Sequence, residues 1–437
     1  MTADTTLGRR PAWSFTRLFT NPTFHQYRQL AALVALVNFG LLVHGLSNDW
    51  WWDEGGPRLE RLADMALVNL SLAALIRQQH VINLLFWLAT RIPTSWPLSI
   101  RWTAAKVYHF GGLHMGGAVV GSLWLAAFTA GVIWLAAQDR AVVSNLTIAA
   151  SLLLVGLLSA MIGTALGPIR ARFHDLFERT HRFAGWAVLA ALWVQSISFL
   201  LDRGAAVLEA PAFWALGLVT LSILLPWLRL KKVPIEVVKP SGHAVVVRFD
   251  YGDDAFPGSS NAISRSPLLE WHSFASIPAP GQRGYRLIIS RAGDWTGKFI
   301  DDCPGHVWVK GITTSGVARI EVLFKRVVYV ATGSGIGPVM PHLLAKQVPI
   351  HLIWATRSPR ETYGDALVAE ILEACPDAQI WNTDRQGKPD LAALAIAAVR
   401  GFEAEAVICI SNKRLTWDVV GRVEREGIPA YGAIWDS

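Results

Sequence analysis

Cysteine is almost missing from these 437 residues: Cys303, Cys375 and Cys409 are the only three. All lie in the C-terminal half and no two have a metal-binding spacing, so the chain carries no metal motif and suits a reducing compartment. Charge is the second shortage. Asp, Glu, Lys and Arg make up 17% against 52% hydrophobic residues, and mean hydropathy is +0.34. That balance excludes an ordinary soluble protein and points to membrane-spanning segments. The net charge of +7 does not read as a nucleic-acid surface, because Arg and Lys gather at the ends of apolar runs, where membrane topology puts them. A cleavable leader is not expected either. Around Arg9, Arg10, Arg17 and Arg28 no short apolar core precedes a small-residue cleavage site. Tryptophan, by contrast, is plentiful at twenty copies, as suits anchoring at a membrane interface.

Apolar runs near the roughly 20 residues a bilayer needs predict six spanning helices, at 29–46, 64–90, 104–137, 146–167, 182–202 and 211–230. The third run is too long for one straight span. Arg91, Arg101 and Lys106 lie between spans two and three, four arginines surround the start of span five, and Arg229, Lys231 and Lys232 follow span six. By the positive-inside rule both termini are cytoplasmic, in an inner or plasma membrane. Residues 1–28 form a cytoplasmic lead-in and 29–232 the membrane domain. Ionisable residues at membrane depth are costly and mark functional candidates. Arg77 and His80 interrupt span two, His109 and His114 begin span three, and His174 and His181 approach span five. His114 follows His109 by about 140° of helical rotation, so the two do not face one ligand.

After Lys232 the pattern changes to short strands, Val233–Val238, Ala244–Phe249, Tyr285–Ser290 and His306–Val309, which predict a small antiparallel barrel over 233–323. From 324 to the end, strands alternate with helices, as in a parallel doubly wound sheet whose ligands bind at the C-terminal strand ends. Thr332–Pro338, Thr356–Arg360, Thr383–Lys388 and Ser411–Leu415 fall on that edge. The first of these is the densest signal. Gly333, Ser334, Gly335, Gly337 and Pro338 follow the strand Val327–Ala331 and precede a helix. Such a turn offers backbone N–H groups to an anion such as a dinucleotide pyrophosphate, although the third glycine of the usual GxGxxG pattern is absent.

Three ordered motifs carry a resemblance. Glu270–Ser276 reads EWHSFAS, Gly293–Thr296 reads GDWT, and Ala331–Pro338 reads ATGSGIGP. Together with Phe177–His181 and His109–Gly112, they resemble the ferric reductase and NADPH oxidase superfamily, and further the fungal Tmp-type transmembrane flavoproteins. The resemblance implies a helical membrane bundle followed by a flavin barrel and a nicotinamide-binding α/β domain. It implies FAD held by His272, Phe274, Ser276, Arg291, Trp295 and Thr296. NADPH or NADH would lie on the glycine turn with Arg357 and Arg385, and Cys409 and Trp435 would stand near the reacting rings. It further implies heme on histidines of spans three and five. Where the family places a second His on each of those helices this chain has Leu123 and Gln195, which leaves at most one heme b, on His109 and His181. Arg77 would face a heme propionate or an anionic substrate.

The function implied is a membrane flavoprotein oxidoreductase passing electrons from NAD(P)H through FAD to a small-molecule acceptor, a quinone or lipophilic carbonyl, with oxygen a second acceptor. The alternative is a redox-sensing or scaffold membrane protein that keeps the fold without turnover. The sequence names no protein partner.

Overall fold

A computed structural model describes residues 25–140, 142–278 and 283–432. Its helical part runs α1 (Gln26–Leu46), a small hairpin of β1 (Trp52–Asp53) and β2 (Gly56–Pro57), α2 (Leu59–Leu75), α3 (Gln79–Ala89) and α4 (Leu98–Ala104). A 3-10 turn, Ala105–Phe110, leads into α5 (Gly111–Ala136), followed by α6 (Asn145–Ala165), α7 (Gly167–Arg172), α8 (His174–Asp202) and α9 (Pro211–Leu228). Among the described residues five helices are long and apolar enough to cross a membrane: Gln26–Leu46, Leu98–Ala136, Asn145–Ala165, His174–Asp202 and Pro211–Leu228.

The second expected span, 64–90, is not one helix. It breaks after Ile76, and Gln78 caps the next helix by accepting from the His80 and Val81 backbone N–H groups. The polar run from Arg77 to His80 that interrupts the apolar pattern is that break. The α2 half packs in the bundle. Its partner α5 approaches so closely that a Cβ on Gly117 would lie 2.7 Å from the Asn69 carbonyl oxygen. Asn38 of α1 and Asn69 of α2 exchange amide hydrogen bonds at 3.0 and 2.8 Å, and Trp124 of α5 donates to Asn38 at 2.9 Å.

The α3 half leaves the bundle and docks on the strands. Those strands form two four-stranded antiparallel sheets. One is ordered β3 (Lys231–Pro234), β10 (His306–Ser315), β6 (Ser259–Ser264), β7 (His272–Ala275). The other is ordered β4 (Glu236–Val238), β5 (Ala244–Phe249), β9 (Tyr285–Ser290), β8 (Ile277–Pro278). Strands β6, β7 and β8 were not among the four expected; Ser, Asn and His hide β6 and β7 from a pattern search for apolar alternation, and the two-residue β8 is too short to show one. Helix α10 (Asp294–Asp302) packs on this layer.

Strand β10 slips register between Lys310 and Thr314, which frees backbone groups that then need partners. Helix α3 supplies them. The Gln79 side chain accepts from Ile312 N–H at 3.0 Å, and Asn83 donates to the Thr313 carbonyl at 2.9 Å and accepts from Ser315 N–H at 2.8 Å.

The C-terminal sheet is parallel, in the order β13 (Gln379–Asn382), β12 (Ile350–Thr356), β11 (Val327–Thr332), β14 (Ala406–Ile410), β15 (Ala430–Gly432). Both faces are covered, so its central strands are continuous apolar runs. Helices α11 (Ile336–Ala345), α12 (Pro359–Tyr363) and α13 (Asp365–Ala374) contribute to one hydrophobic cluster, and α15 (Leu391–Phe402) and α16 (Lys413–Arg425) to the other. The first cluster also takes in Ile82 and Phe86 of α3 and Ala105. One core therefore joins residues 82–110 to the sheets.

Arg101 locks that joint. It is 3% exposed, forms a two-pronged pair with Glu405 at 2.6 and 3.0 Å, and donates to the carbonyls of Leu323 and Trp96. The sequence reading placed Arg101 among the loop cations that set topology; in the fold it is an internal strut.

Candidate functional site

The carboxyl ends of β11, β12 and β14, the edge of the two antiparallel sheets and the segment Tyr108–Gly111 enclose one cavity of about 1470 Å³. At its nicotinamide end, β11 runs into the turn Gly333–Gly335 and then α11. Gly333 has φ +51°, and a Cβ on Gly335 would lie 2.2 Å from the Ile410 carbonyl oxygen. Both positions need glycine. Gly337 differs, since a Cβ there would meet Ile288 at an ordinary 3.6 Å. Pro338 sits in the first turn of α11, where its missing N–H costs nothing. Ser334, Gly335, Gly337 and Pro338 all line the cavity. Thr332 and Ser411 hydroxyls bond across the strand ends at 2.6 Å, and Trp354 Nε1 donates to the Gly333 carbonyl at 3.0 Å. The four loops read as the binding edge each contribute lining residues, among them Arg357, Lys388, Ser411 and Asn412.

Arg385 does not share that position. It lies on the short α14 (Thr383–Gln386), is exposed, and is not a lining residue. Lys388, three residues on, takes the place expected of it, because Gly387 with φ +72° turns the chain back toward the cavity. Cys409 is also displaced. Successive side chains on β14 alternate, so Ile408 and Ile410 face the cluster that includes α11, while Cys409 faces α15 and α16 and is 0% exposed. Burial pushes its thiol up to about 12, against a lowering hydrogen bond from Thr416. A thiol so placed touches no cavity occupant. Trp435 lies outside the described residues.

On the antiparallel layer, Phe274, Arg291 and Thr296 line the cavity, together with Ser259, Ser260 and Ser290. The Thr296 hydroxyl accepts from Ala292 and Gly293 N–H at 2.9 and 3.1 Å, closing the GDWT turn. Arg291 is paired with Asp301 at 3.1 Å and donates to the Gly242 carbonyl. Its side-chain hydrogen bond to Asp301 holds its pKa above the ordinary value.

The other three flavin candidates stand off the cavity. His272 stacks on Trp295 with ring centroids 4.0 Å apart. Burial lowers the His272 pKa, against the opposing charge of Glu270. Ser276 is fully buried and accepts from Asn261 at 3.0 Å. These residues shape the layer that carries Phe274 rather than the cavity wall. Sequence reasoning missed Tyr363, whose hydroxyl pairs with Ser290 at 3.3 Å, and Gly316–Ala318, which line the cavity after β10. An apolar pattern search gives positions in such short helical turns no signal.

Toward the helical part, Arg77, Tyr108, His109, Phe110 and Gly111 line the same cavity. His80 does not; it is an exposed residue in the first turn of α3. The heme ligand pair His109 and His181 is not assembled. His109 packs on Tyr108 at 4.1 Å and bonds the Lys106 carbonyl at 3.1 Å. His181 instead neighbours Phe177 at 4.7 Å and His114 at 6.5 Å. The cause is the 3-10 turn, which sets His109 apart from the straight helix that carries His114. The expected donor set does not fit a heme. Among the described residues no group of three or more His, Cys, Asp or Glu could hold a metal ion.

Comparison with known proteins gives three findings. The family model "Adenylate-forming reductase 03009, C-terminal domain" matches residues 317–437. Adenylate-forming reductases 06235 and 03009 of Coprinopsis cinerea are each 42% identical over 421 residues, covering 95% of this chain. The chain spans 40% of the length of these curated relatives. Among solved structures, a ferredoxin NADP+ reductase from Neisseria gonorrhoeae with bound FAD and NADP is similar over 47% of this chain and 98% of its own, at 15% identity and a TM-score of 0.37.

Proposed function

We propose that the chain is a membrane-anchored NAD(P)H-dependent flavin oxidoreductase. The observation that carries this reading is the single cavity that runs from the glycine turn, past Phe274 and Thr296, to Arg77 and His109 in the helical part. A pyridine nucleotide, a flavin and an acceptor fit such a space end to end. The relatives named as reductases support the same direction of chemistry.

The chain's own residues divide the work. Gly333 would let the backbone turn beside a pyrophosphate, Gly335 lets that turn pass the end of β14, and the first N–H groups of α11 would face the anion. Arg357 and Lys388 offer cations to a ribose phosphate. Phe274 gives a flat apolar wall for a ring system, and Ser290 and Tyr363 offer hydroxyls beside it. When bound, the flavin supplies two-electron acceptance with one-electron release. Arg77 at the far end offers a fixed positive charge to an acceptor carrying a carbonyl or anionic oxygen, as in a quinone or a lipophilic carbonyl. The five long apolar helices, with the 17-residue α2 as a sixth crossing, anchor the sheets to an inner or plasma membrane, and this even number keeps both termini cytoplasmic, as the Arg and Lys distribution implies.

The test is direct. Detergent-purified full-length protein should take up FAD and oxidise NADPH or NADH with an artificial acceptor. Substituting Phe274→Ala should lower FAD retention, and Arg77→Gln should slow turnover with a quinone while sparing it with ferricyanide. Protein that folds yet neither holds flavin nor consumes nicotinamide would favour the scaffold alternative.

A further inference from the structure

A second cationic site lies outside the cofactor cavity, where the end of α9 meets β10. The Lys310 ammonium sits over Trp227 of α9, 3.7 Å from its ring centroid, and 4.3 Å from that of Trp271. The two rings meet edge to face at 6.0 Å, and Trp186 of α8 adds a third at 5.5 Å from Trp227. Arg182, one turn before Trp186, reaches the same seam, and its Nη1 is buried with no hydrogen-bond partner. The nearby acids are used elsewhere: Glu178 lies 4.0 Å from His174, and Glu270 lies 3.9 Å from His272. Burial and the Arg182 cation push the Lys310 ammonium down to about 7, with no carboxylate to raise it. Two like charges held together in a half-buried aromatic frame lack their counter-ion.

The setting says which anion belongs there. None of Arg182, Trp227, Trp271 or Lys310 lines the cofactor cavity, so the phosphates of a nucleotide are not the missing partner. Trp227 lies in the last turn of α9, whose Leu218, Leu221, Leu224 and Leu228 are exposed. Phe183 and Trp186 on α8 are exposed too. Apolar helix surface ends at this level and tryptophans begin, which is the pattern of a bilayer interface. Cations set between membrane helices at that level meet lipid headgroups.

We propose that this seam is a headgroup site for an anionic phospholipid. Its phosphate lies between Arg182 and Lys310, and its acyl chains lie along α9 beside Leu224 and Leu228. The site ties the antiparallel layer, through β10, to the membrane that α9 crosses. This inference uses only the membrane reading of the helices, not the redox reading of the cavity, so either can fail alone.

The experiment uses full-length protein in nanodiscs of phosphatidylcholine alone or mixed with phosphatidylglycerol, followed by detergent extraction and mass spectrometry of retained lipid. The wild type should keep phosphatidylglycerol over phosphatidylcholine by at least about tenfold, the scale of a charge-assisted contact to phosphate. Arg182→Gln with Lys310→Gln should erase the preference, while Lys310→Arg, which keeps the charge and stacks on tryptophan, should retain it. Glycerol 3-phosphate serves as the soluble headgroup probe and should leave the lipid in place. Absence of any preference in the wild type overturns the proposal without needing a folded variant. So does a preference that survives the double substitution, a loss in Lys310→Arg, or ready displacement by glycerol 3-phosphate, which would assign the site to a free phosphate.

Discussion

On α9 the side chains of Leu218, Leu221, Leu224 and Leu228 are exposed, whereas on β11, β12 and β14 those of Val328, Val330, Ile353 and Val407 are wholly buried. Both regions are apolar, yet one turns its leucines outward and the other turns its valines and isoleucines inward. An outward apolar surface of this density is the kind that the proposed membrane anchor would cover with lipid. The segment from Gln79 to Phe110 belongs by composition with the bundle and by packing with the sheets. Ile82 and Phe86 are buried in the core of the parallel sheet, and Gln79 and Asn83 fill the backbone vacancies of β10. Hydropathy alone cannot separate a helix that faces lipid from one that faces a protein core. The two polar residues spaced by four on α3 were the available signal.

The joint between the two regions is where a substitution should do most. Arg101→Met removes the partner of Glu405 in a nearly closed site, and breaking such a pair costs about 3–5 kcal/mol. Chemical unfolding followed by tryptophan fluorescence should show the loss, and Arg101→Met with Glu405→Leu should recover most of it. The pH dependence gives a second readout. Burial raises the Glu405 carboxyl, but the hydrogen bond and charge of Arg101 outweigh it and leave the pKa below its usual 4.5. A carboxyl lowered in the folded state stabilises above its unfolded pKa, and that contribution is lost as pH falls through the folded value. The wild type should therefore lose this increment below about pH 4.5. In Arg101→Met the Lys325 N–H and charge still oppose burial, but the Arg101 hydrogen bond and charge are gone, so the carboxyl rises and the increment shrinks. A variant with unchanged stability and an unchanged acid limb would show that the strut carries nothing.

Next in size is the contrast within the glycine turn. Gly335→Ala drives a Cβ to 2.2 Å from the Ile410 oxygen, whereas Gly337→Ala meets only a 3.6 Å contact. Alanine at 335 should lower kcat/KM for the nicotinamide by about a hundredfold, on the order of 2.7 kcal/mol, and alanine at 337 should leave it nearly unchanged. Equal effects would mean that ligand approach, not the strand end, demands both glycines. Lys388→Ala should then narrow the NADPH-to-NADH preference by about tenfold, as for one charged contact to phosphate, and Arg385→Ala should not. The reverse result would restore Arg385 to the site.

Much of the site was legible from the chain because backbone rules act locally. A glycine turn between a strand and a helix, and polar loops at alternate strand ends, place Gly333–Pro338, Arg357 and Ser411 with no knowledge of the fold. Residue-level carry-over fared worse where one residue of register decides a face. Cys409 is one position from the lining Ile410, and Arg385 three from Lys388. His272 on β7 and Trp295 on α10 stack on each other because the helix packs against the strand layer, which spacing does not show. The pairing of His181 with His114 rather than His109 depends on a 3-10 turn with no sequence marker.

The smallest expected effect lies inside the bundle, and it measures how the outward-facing region is held. Under the proposed membrane anchoring, the bundle gains little from burying leucine, so close packing and interhelical hydrogen bonds would hold α1, α2 and α5 together. The Asn38–Asn69 amide pair, with Trp124 donating to Asn38, is such a link and is almost closed to solvent. Asn38→Leu removes the acceptor of Trp124 and both bonds to Asn69. Hydrogen bonds of this kind average about 0.6 kcal/mol and reach about 1.7, because an unfolded helix in lipid also finds partners. The variant should lower the midpoint of thermal unfolding in detergent slightly, while a purified preparation keeps its flavin and its nicotinamide kinetics. Should Asn38→Leu instead abolish cofactor binding, the bundle and the cavity would be coupled through α1, and the separation drawn between the two regions would not hold.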